Sequence, residues 1–271
     1  IPDMQGRVNV ALRYVPSDES FLIAADANID NLIFRGQPVG ELLLNGVYLP
    51  LDNNRHRFDA HFYHNESELA TVSAFYRQPQ QKQAQGAIDG TMQFDRIPLS
   101  ELNPFFGGAV DMQGVLRGRL TLESRDRGPI WNGYLQLDST SMYVRAVGTR
   151  FRFDDQEVDI KDSKLRLTKY GIYTTGGNPF TISGTVDLSK PMKETADLRL
   201  AAQDMLLIDA PDGAPGAMLY GRLPIDLNLT ARGPLRALKV RGGVHVRSGT
   251  NVTYVMPDAN DELQDNFAGL V

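Results

Sequence analysis

The reactive side chains of this 271-residue chain are few: 4 histidines, 33 carboxylates and no cysteine. Without a thiol, the chain lacks disulfides, cysteine-ligated zinc, iron–sulfur clusters and a cysteine nucleophile. His61 and His64, with His56 close by, are the candidates for a metal. A spacing of three on a strand sends side chains to opposite faces, so the two do not converge, and they read as residues of a polar strand surface. Asp154, Asp155, Glu157, Asp159 and Asp162 form an acidic run in which Glu157 and Asp159 share the wet face opposite Val158 and Ile160. Calcium needs more oxygen ligands on a looped backbone, so the run reads as a solvated strand face. Asp187, Asp197 and Asp226 are the acids from which a polysaccharide-cleaving β-helix enzyme would draw its carboxylate pair. No G-x-S-x-G elbow, H-E-x-x-H or P-loop is present. A sugar-stacking platform is poorly served by Trp131, the single Trp, which reads as core or rim packing. The expectation is a protein that is not an enzyme and uses no metal or cofactor.

The elements carrying these residues alternate. In Ala217–Thr230, Leu219, Gly221, Leu223, Ile225, Leu227 and Leu229 interleave with Tyr220, Arg222, Pro224, Asp226, Asn228 and Thr230. Period two marks a strand with one apolar and one polar face. Val8–Tyr14, Ile23–Ile29, Val47–Leu51, Phe58–Phe62, Val72–Tyr76, Leu116–Leu122, Phe180–Leu188, Ala196–Ala202 and Val240–Val246 follow the same rule. Leu32 and Phe34 read as a separate short strand. Strands of about six to nine residues, bounded by Gly, Pro, Asn or Asp, recur along the chain. The period fails only at Pro98–Phe106, where Leu99, Leu102 and Phe106 predict a short helical turn capped by Ser100. No helix of ordinary length is expected, so the fold class is all-β.

The sequence divides into an N-terminal β block over 1–77, a loop and helical turn over 78–109, a repeat-containing β region over 110–256 and an acidic tail over 257–271. Residues 78–85, QPQQKQAQ, read as a solvated loop. A formal net charge of −5 argues against nucleic acid as a partner. No apolar run reaches 18 residues and no signal peptide is evident; the chain reads as an internal piece of something longer. Val110–Val144 and Ala217–Val255 resemble each other, each with a Gly-Pro turn and a closing Tyr-Val pair (Tyr143–Val144, Tyr254–Val255). Repetition at this scale predicts an elongated sheet. Gly90, Gly118, Gly133, Gly184, Gly221 and Gly242 fall on the apolar register, which predicts strong curvature; relief of crowding in a sandwich core is the alternative.

The cadence GxLxGxLxL…GPxxxGxLxL, at Gly114–Leu122 to Gly128–Leu137 and more loosely at Gly221–Leu229 to Gly233–Val246, resembles the TamB/AsmA-like family of envelope proteins. Pro98–Phe106 ahead of the G-x-L-x-G strand suits it, and Asn251–Pro257 (NVTYVMP) is similar to TamB-like proteins of Bacteroidetes. The likeness covers Gly86–Val255, with Gly6–Arg77 fitting more loosely. It implies a β-sheet rolled into a half-pipe, or β-taco, with an apolar lumen. It further implies a periplasmic location and an inner-membrane anchor in a segment absent here. An outer-membrane barrel partner of the TamA/BamA type is implied too, with a role in phospholipid transport or outer-membrane protein assembly. It places the family's most recognisable C-terminal region beyond Val271.

A half-pipe leaves one apolar face uncovered, and a large exposed apolar surface calls for a partner or ligand. For a groove crossing many strands that ligand is an acyl chain, at about 0.8 kcal/mol per buried methylene. Some fourteen strands would span on the order of 65 Å. The expected groove lining is Leu120, Leu122, Leu135, Leu137, Ile182, Val186, Leu188, Leu198, Leu200, Leu223, Ile225, Leu227, Leu229, Val244 and Val246. Two further readings stand beside it: a chaperone-like module offering its sheet edge to unfolded outer-membrane strands, and a plain β-sandwich binding domain.

Overall fold

The computed structural model describes residues 4–17, 20–52, 54–79, 86–124, 130–176, 178–190, 192–214 and 216–255. Most of the expected 78–85 loop, the Gly128–Pro129 turn and the 257–271 tail lie outside them.

Alternation produces one sheet of 16 strands, paired almost entirely in chain order. They are β1 (Met4–Pro16), β2 (Phe21–Phe34), β3 (Gln37–Leu51), β4 (Arg55–His64), β5 (Ser67–Arg77) and β6 (Ala87–Pro98). After a 3-10 helix at Leu99–Phe106 come β7 (Val110–Glu123), β8 (Ile130–Val144), β9 (Thr149–Phe153), β10 (Val158–Lys161), β11 (Lys164–Tyr173) and β12 (Phe180–Asp187). The last four are β13 (Thr195–Ala210), β14 (Leu219–Pro234), β15 (Lys239–Val246) and β16 (Asn251–Tyr254). Among the described residues every strand pairing is antiparallel, and β9 and β10 share one place between β8 and β11. Among the described residues β1 pairs only with β2 and β15 only with β14, so the sheet stays open and does not close into a barrel. It is an elongated, curved sheet of the β-taco kind. The sandwich alternative fails because there is no second sheet among the described residues.

The register explains how one face stays apolar. Residues opposite each other in a ladder point to the same side. One row runs Leu12, Ala25, Gly46, Ala60, Val72, Met92, Leu120, Gly133, Ile160, Leu165, Val186, Ala196 and Gly233, with no polar side chain in it. One residue along, on the other face, Asp59, Ser73, Thr91, Thr121 and Asn132 line up. A slip of one residue in any hairpin would put this polar set into the apolar row.

The strands are longer than expected; β3 has 15 residues and β13 has 16. The reason is a recurring bulge. Asp30 and Asn31 together face Glu41, Asp95 and Arg96 face Arg117, Thr168 and Lys169 face Ser183, and Gln203 and Asp204 face Asp226. Each extra residue shifts the apolar period by one, which makes a single strand read as two. Leu32 and Phe34 therefore continue β2 and do not start a new strand. Bulges bend and twist the strand that carries them. At two of them an orphaned amide finds a side-chain oxygen on the neighbouring strand: Lys169 N–H donates to Ser183 Oγ at 3.0 Å and Asp204 N–H to Asp226 Oδ1 at 2.7 Å.

Curvature also shows in the interior glycines. Gly118 faces Leu135, Gly133 faces Leu120, Gly184 faces Leu198 and Gly242 faces Leu229. A concave face has less room per residue than a convex one, and setting leucine against glycine removes the excess volume. At Gly184, φ is +137° and a Cβ would overlap the carbonyl oxygen of Asp197. The 3-10 helix at Leu99–Phe106 matches the expected turn, but Pro98 is its N-cap with no side-chain cap bond, so Ser100 does not cap it. Asn103 fastens it to β7, accepting from Met112 N–H at 2.7 Å, and Phe105 packs on Phe34 with ring centroids 5.2 Å apart.

Gly184→Val is expected to lower stability by roughly 1–3 kcal/mol, from backbone strain and carbonyl overlap, read as a lower melting temperature. An unchanged melting temperature would mean the glycines do not shape the sheet.

Candidate functional site

The residues expected to line a groove share the apolar face. Leu120, Leu122, Leu135 and Leu137 lie on β7 and β8; Ile182 and Val186 on β12; Leu198 and Leu200 on β13; Leu223, Ile225, Leu227 and Leu229 on β14; Val244 and Val246 on β15. Leu188 lies just beyond β12, its amide donating to Ser163 O at 2.7 Å. Their exposure differs. Ile225 is sealed at 3%, opposite Met205 on β13, whereas Val244 is 58% and Val246 54% exposed. The other members are partly exposed.

The apolar face also extends beyond that set. Val8, Val10, Leu12 and Tyr14 on β1 and Phe58 and Phe62 on β4 are exposed on the same rows. Midway along, Met142, Phe151, Phe153, Ile172, Phe180, Met205, Leu207 and Leu227 enclose an apolar cavity of about 230 Å³. These residues come from six successive strand positions, which in a flat sheet would spread over about 24 Å. They meet at one cavity because the sheet curls around it. Sequence reasoning missed Met142, Phe151, Phe153, Ile172 and Phe180 as lining, although their place in the alternation was available.

The N-terminal half carries an aromatic rim: Tyr14–Phe21, Phe21–Tyr48 and Tyr48–Phe58 have ring centroids 5.5, 6.0 and 5.1 Å apart. His56 stacks on Tyr48 and Tyr76, with Nδ1 2.8 Å from the Tyr48 hydroxyl.

The other polar residues have separate partners. His61 meets Glu68 at 2.6 Å on the surface. His64 does not lie on a polar surface. It is 4% exposed, with Nε2 2.6 Å from Val39 O and Nδ1 2.5 Å from the Glu101 carboxylate, because the Leu99–Phe106 helix folds over it. Among the described residues no group of three or more His, Asp or Glu gathers as a metal site. The acidic run is not one strand face. Asp154–Glu157 interrupts the strand between β9 and β10, and Asp155 Oδ1 accepts from Ser139 N–H at 2.9 Å.

Asp187, Asp197 and Asp226 each have a partner of their own. Asp187 accepts from Ser189 N–H, Asp197 from Arg232 at 2.8 Å, and Asp226 from Asp204 N–H and Arg247. The Asp204 amide, followed by the Arg247 guanidinium, holds the Asp226 carboxyl below the usual carboxylate range. A lowered folded-state pKa contributes stability that is complete above the unfolded-state value and lost as pH falls through the folded value. Asp226→Asn should therefore be less stable than the native chain at pH 7 and converge with it below about pH 4. Urea unfolding from pH 7 to pH 3 checks this; a constant gap would remove Asp226 as the bulge's charged clamp.

No described helix is long and apolar enough to cross a membrane. Neither a curated protein nor a solved structure matches the chain. Residues 168–267, from β11 through β16 and beyond, match the model of the TamB C-terminal domain. The match lies within the chain, whereas the family's most recognisable C-terminal region was expected beyond Val271. The similarity to that domain spans residues 168–267 and coincides with the last strands of the sheet.

Proposed function

We propose that the apolar face shields lipid acyl chains, as part of an envelope-spanning protein that carries phospholipid between inner and outer membrane and supports outer-membrane biogenesis. The observation that carries this reading is the apolar row running from β1 to β14, with no second layer over it among the described residues. Its leucines, valines and alanines offer no fixed polar partner, so a chain can slide without breaking specific bonds. At about 0.8 kcal/mol per methylene, several methylenes in such a groove offset the loss of bilayer contact. The family match over 168–267 supports a periplasmic setting, with an inner-membrane anchor elsewhere in the full protein and an outer-membrane barrel of the TamA/BamA type as partner.

A second reading has its own observation. β1 is exposed along its whole length and has one unpaired edge, the feature by which a sheet accepts an added strand. A chaperone-like role in barrel assembly would use that edge, and charges on the apolar face would matter little to it.

Leu227→Arg places a charge in the cavity wall and is expected to remove co-purifying phospholipid while the far-ultraviolet β signal persists. Ile225→Arg, at a sealed position, should instead unfold the β13–β14 region. Native mass spectrometry with circular dichroism separates the two. Undiminished phospholipid on folded Leu227→Arg protein would refute the groove.

A further inference from the structure

Behind the apolar cavity, on the polar face of the same strands, lies a second cavity of about 670 Å³. Its walls include Ser139 and Ser141 from β8, Arg150 and Arg152 from β9, Asp155 from the interruption, and Thr174 after β11. Alternation places the two cavities back to back: Phe151 and Phe153 point into one, Arg150 and Arg152 into the other. We infer that this outer cavity binds a small zwitterion, a phosphoryl group joined to an ammonium, of the phosphoethanolamine class.

Three features converge on an oxyanion. Arg152 lies over the Tyr173 ring, 5.5 Å from its centroid, and among the described residues it has no carboxylate within ion-pair distance. Arg150 donates to Ser141 Oγ at 3.1 Å and reaches Asp111 only at 3.5 Å, which leaves donors of its fork free. Thr174 is 9% exposed and its hydroxyl is buried without a hydrogen-bond partner. A buried hydroxyl left unpaired is costly; Thr174 is a wall residue of the cavity, so rotation of its side chain toward that space would let a ligand oxygen satisfy it. Two guanidiniums and hydroxyls around one space match a phosphoryl group's oxygens.

The fourth feature favours a zwitterion over a simple anion. Asp155 stands on the same cavity with Oδ1 fixed by the Ser139 amide. Its charge repels a bare phosphate and attracts an ammonium. The interruption of Asp154–Glu157 between β9 and β10 brings this carboxylate to the cavity. The site lies on the polar face and does not depend on the groove reading.

Calorimetric titration of the whole chain with phosphoethanolamine, inorganic phosphate and ethanolamine tests the assignment. Phosphoethanolamine is expected to saturate one site, with phosphate about tenfold weaker, the loss of one ion pair, and ethanolamine weaker still. Arg152→Gln should weaken phosphoethanolamine about tenfold, and Thr174→Val a few-fold, with melting temperature and circular dichroism confirming folded protein. Asp155→Asn should weaken phosphoethanolamine yet strengthen phosphate, opposite shifts that a general loss of structure cannot produce. Dihexanoyl phosphatidylethanolamine, below its micelle concentration, distinguishes a lipid headgroup from the free compound. Tighter binding than free phosphoethanolamine, still weakened in Arg152→Gln, indicates the lipid; equal binding indicates the head alone. No saturable binding, or binding unaffected by Arg152→Gln, overturns the proposal.

Discussion

Cross-strand register is the constraint on which the rest of the structure depends. Each hairpin sets apolar residues opposite apolar residues, and the rule passes from Leu12 on β1 to Gly233 on β14 without an exception in the row. A globular domain ends such a row against a second layer of structure. Here the sheet curls on its own apolar side, and partial curling leaves that side in contact with water. Val10 at 65% and Val244 at 58% exposure, near opposite ends of the sheet, show how far the uncovered surface extends.

Curling a sheet of long strands requires two devices, and both are present. Glycine against leucine reduces the volume on the concave side, as at Gly118–Leu135 and Gly242–Leu229. Bulges on β2, β6, β11 and β13 bend the strands, which run in a common direction because alternate places in the antiparallel order do. The cost of a bulge is an unpaired amide, and Ser183 and Asp226 supply the missing acceptors from the polar face. Shape and polarity are thereby linked: the outer face stabilises the bends that give the inner face its form. The Asp154–Glu157 interruption is a larger version of the same break. It opens the polar face into a cavity with Arg152 and an unpaired Thr174 hydroxyl.

Much of this was legible in the residues. Alternation in Leu219–Thr230 identified β14 and its apolar side, and glycines on the apolar register announced curvature. The helical turn at Leu99–Phe106 followed from the lapse of period two. What escaped has physical causes. A bulge shifts the apolar phase, so Ile29 and Leu32 appeared to belong to different strands. The burial of His64 depends on a helix folding back from 35 residues later in the chain, a long-range contact that no local pattern encodes. Asp154–Glu157 kept a strand-like rhythm with Val158 and Ile160, and only pairing with β8 and β11 shows where the ladder stops. Ile225 and Leu227 look equivalent in sequence, yet only Ile225 is sealed, because Met205 on the bulged β13 lies opposite it.

The proposed lipid-shielding role depends on an apolar surface that protein leaves uncovered. The absence of cysteine permits single labels to be placed cleanly. Spin labels at Val10, Leu44 and Val244 on the apolar face, with Asn9, Asn45 and His245 as polar-face controls, report accessibility to a water-soluble nickel chelate. The account predicts high accessibility at all six positions in lipid-free protein, with phospholipid shielding only the apolar-face three. Apolar-face labels that are already shielded without lipid, or that respond to lipid no more than the controls, would contradict it.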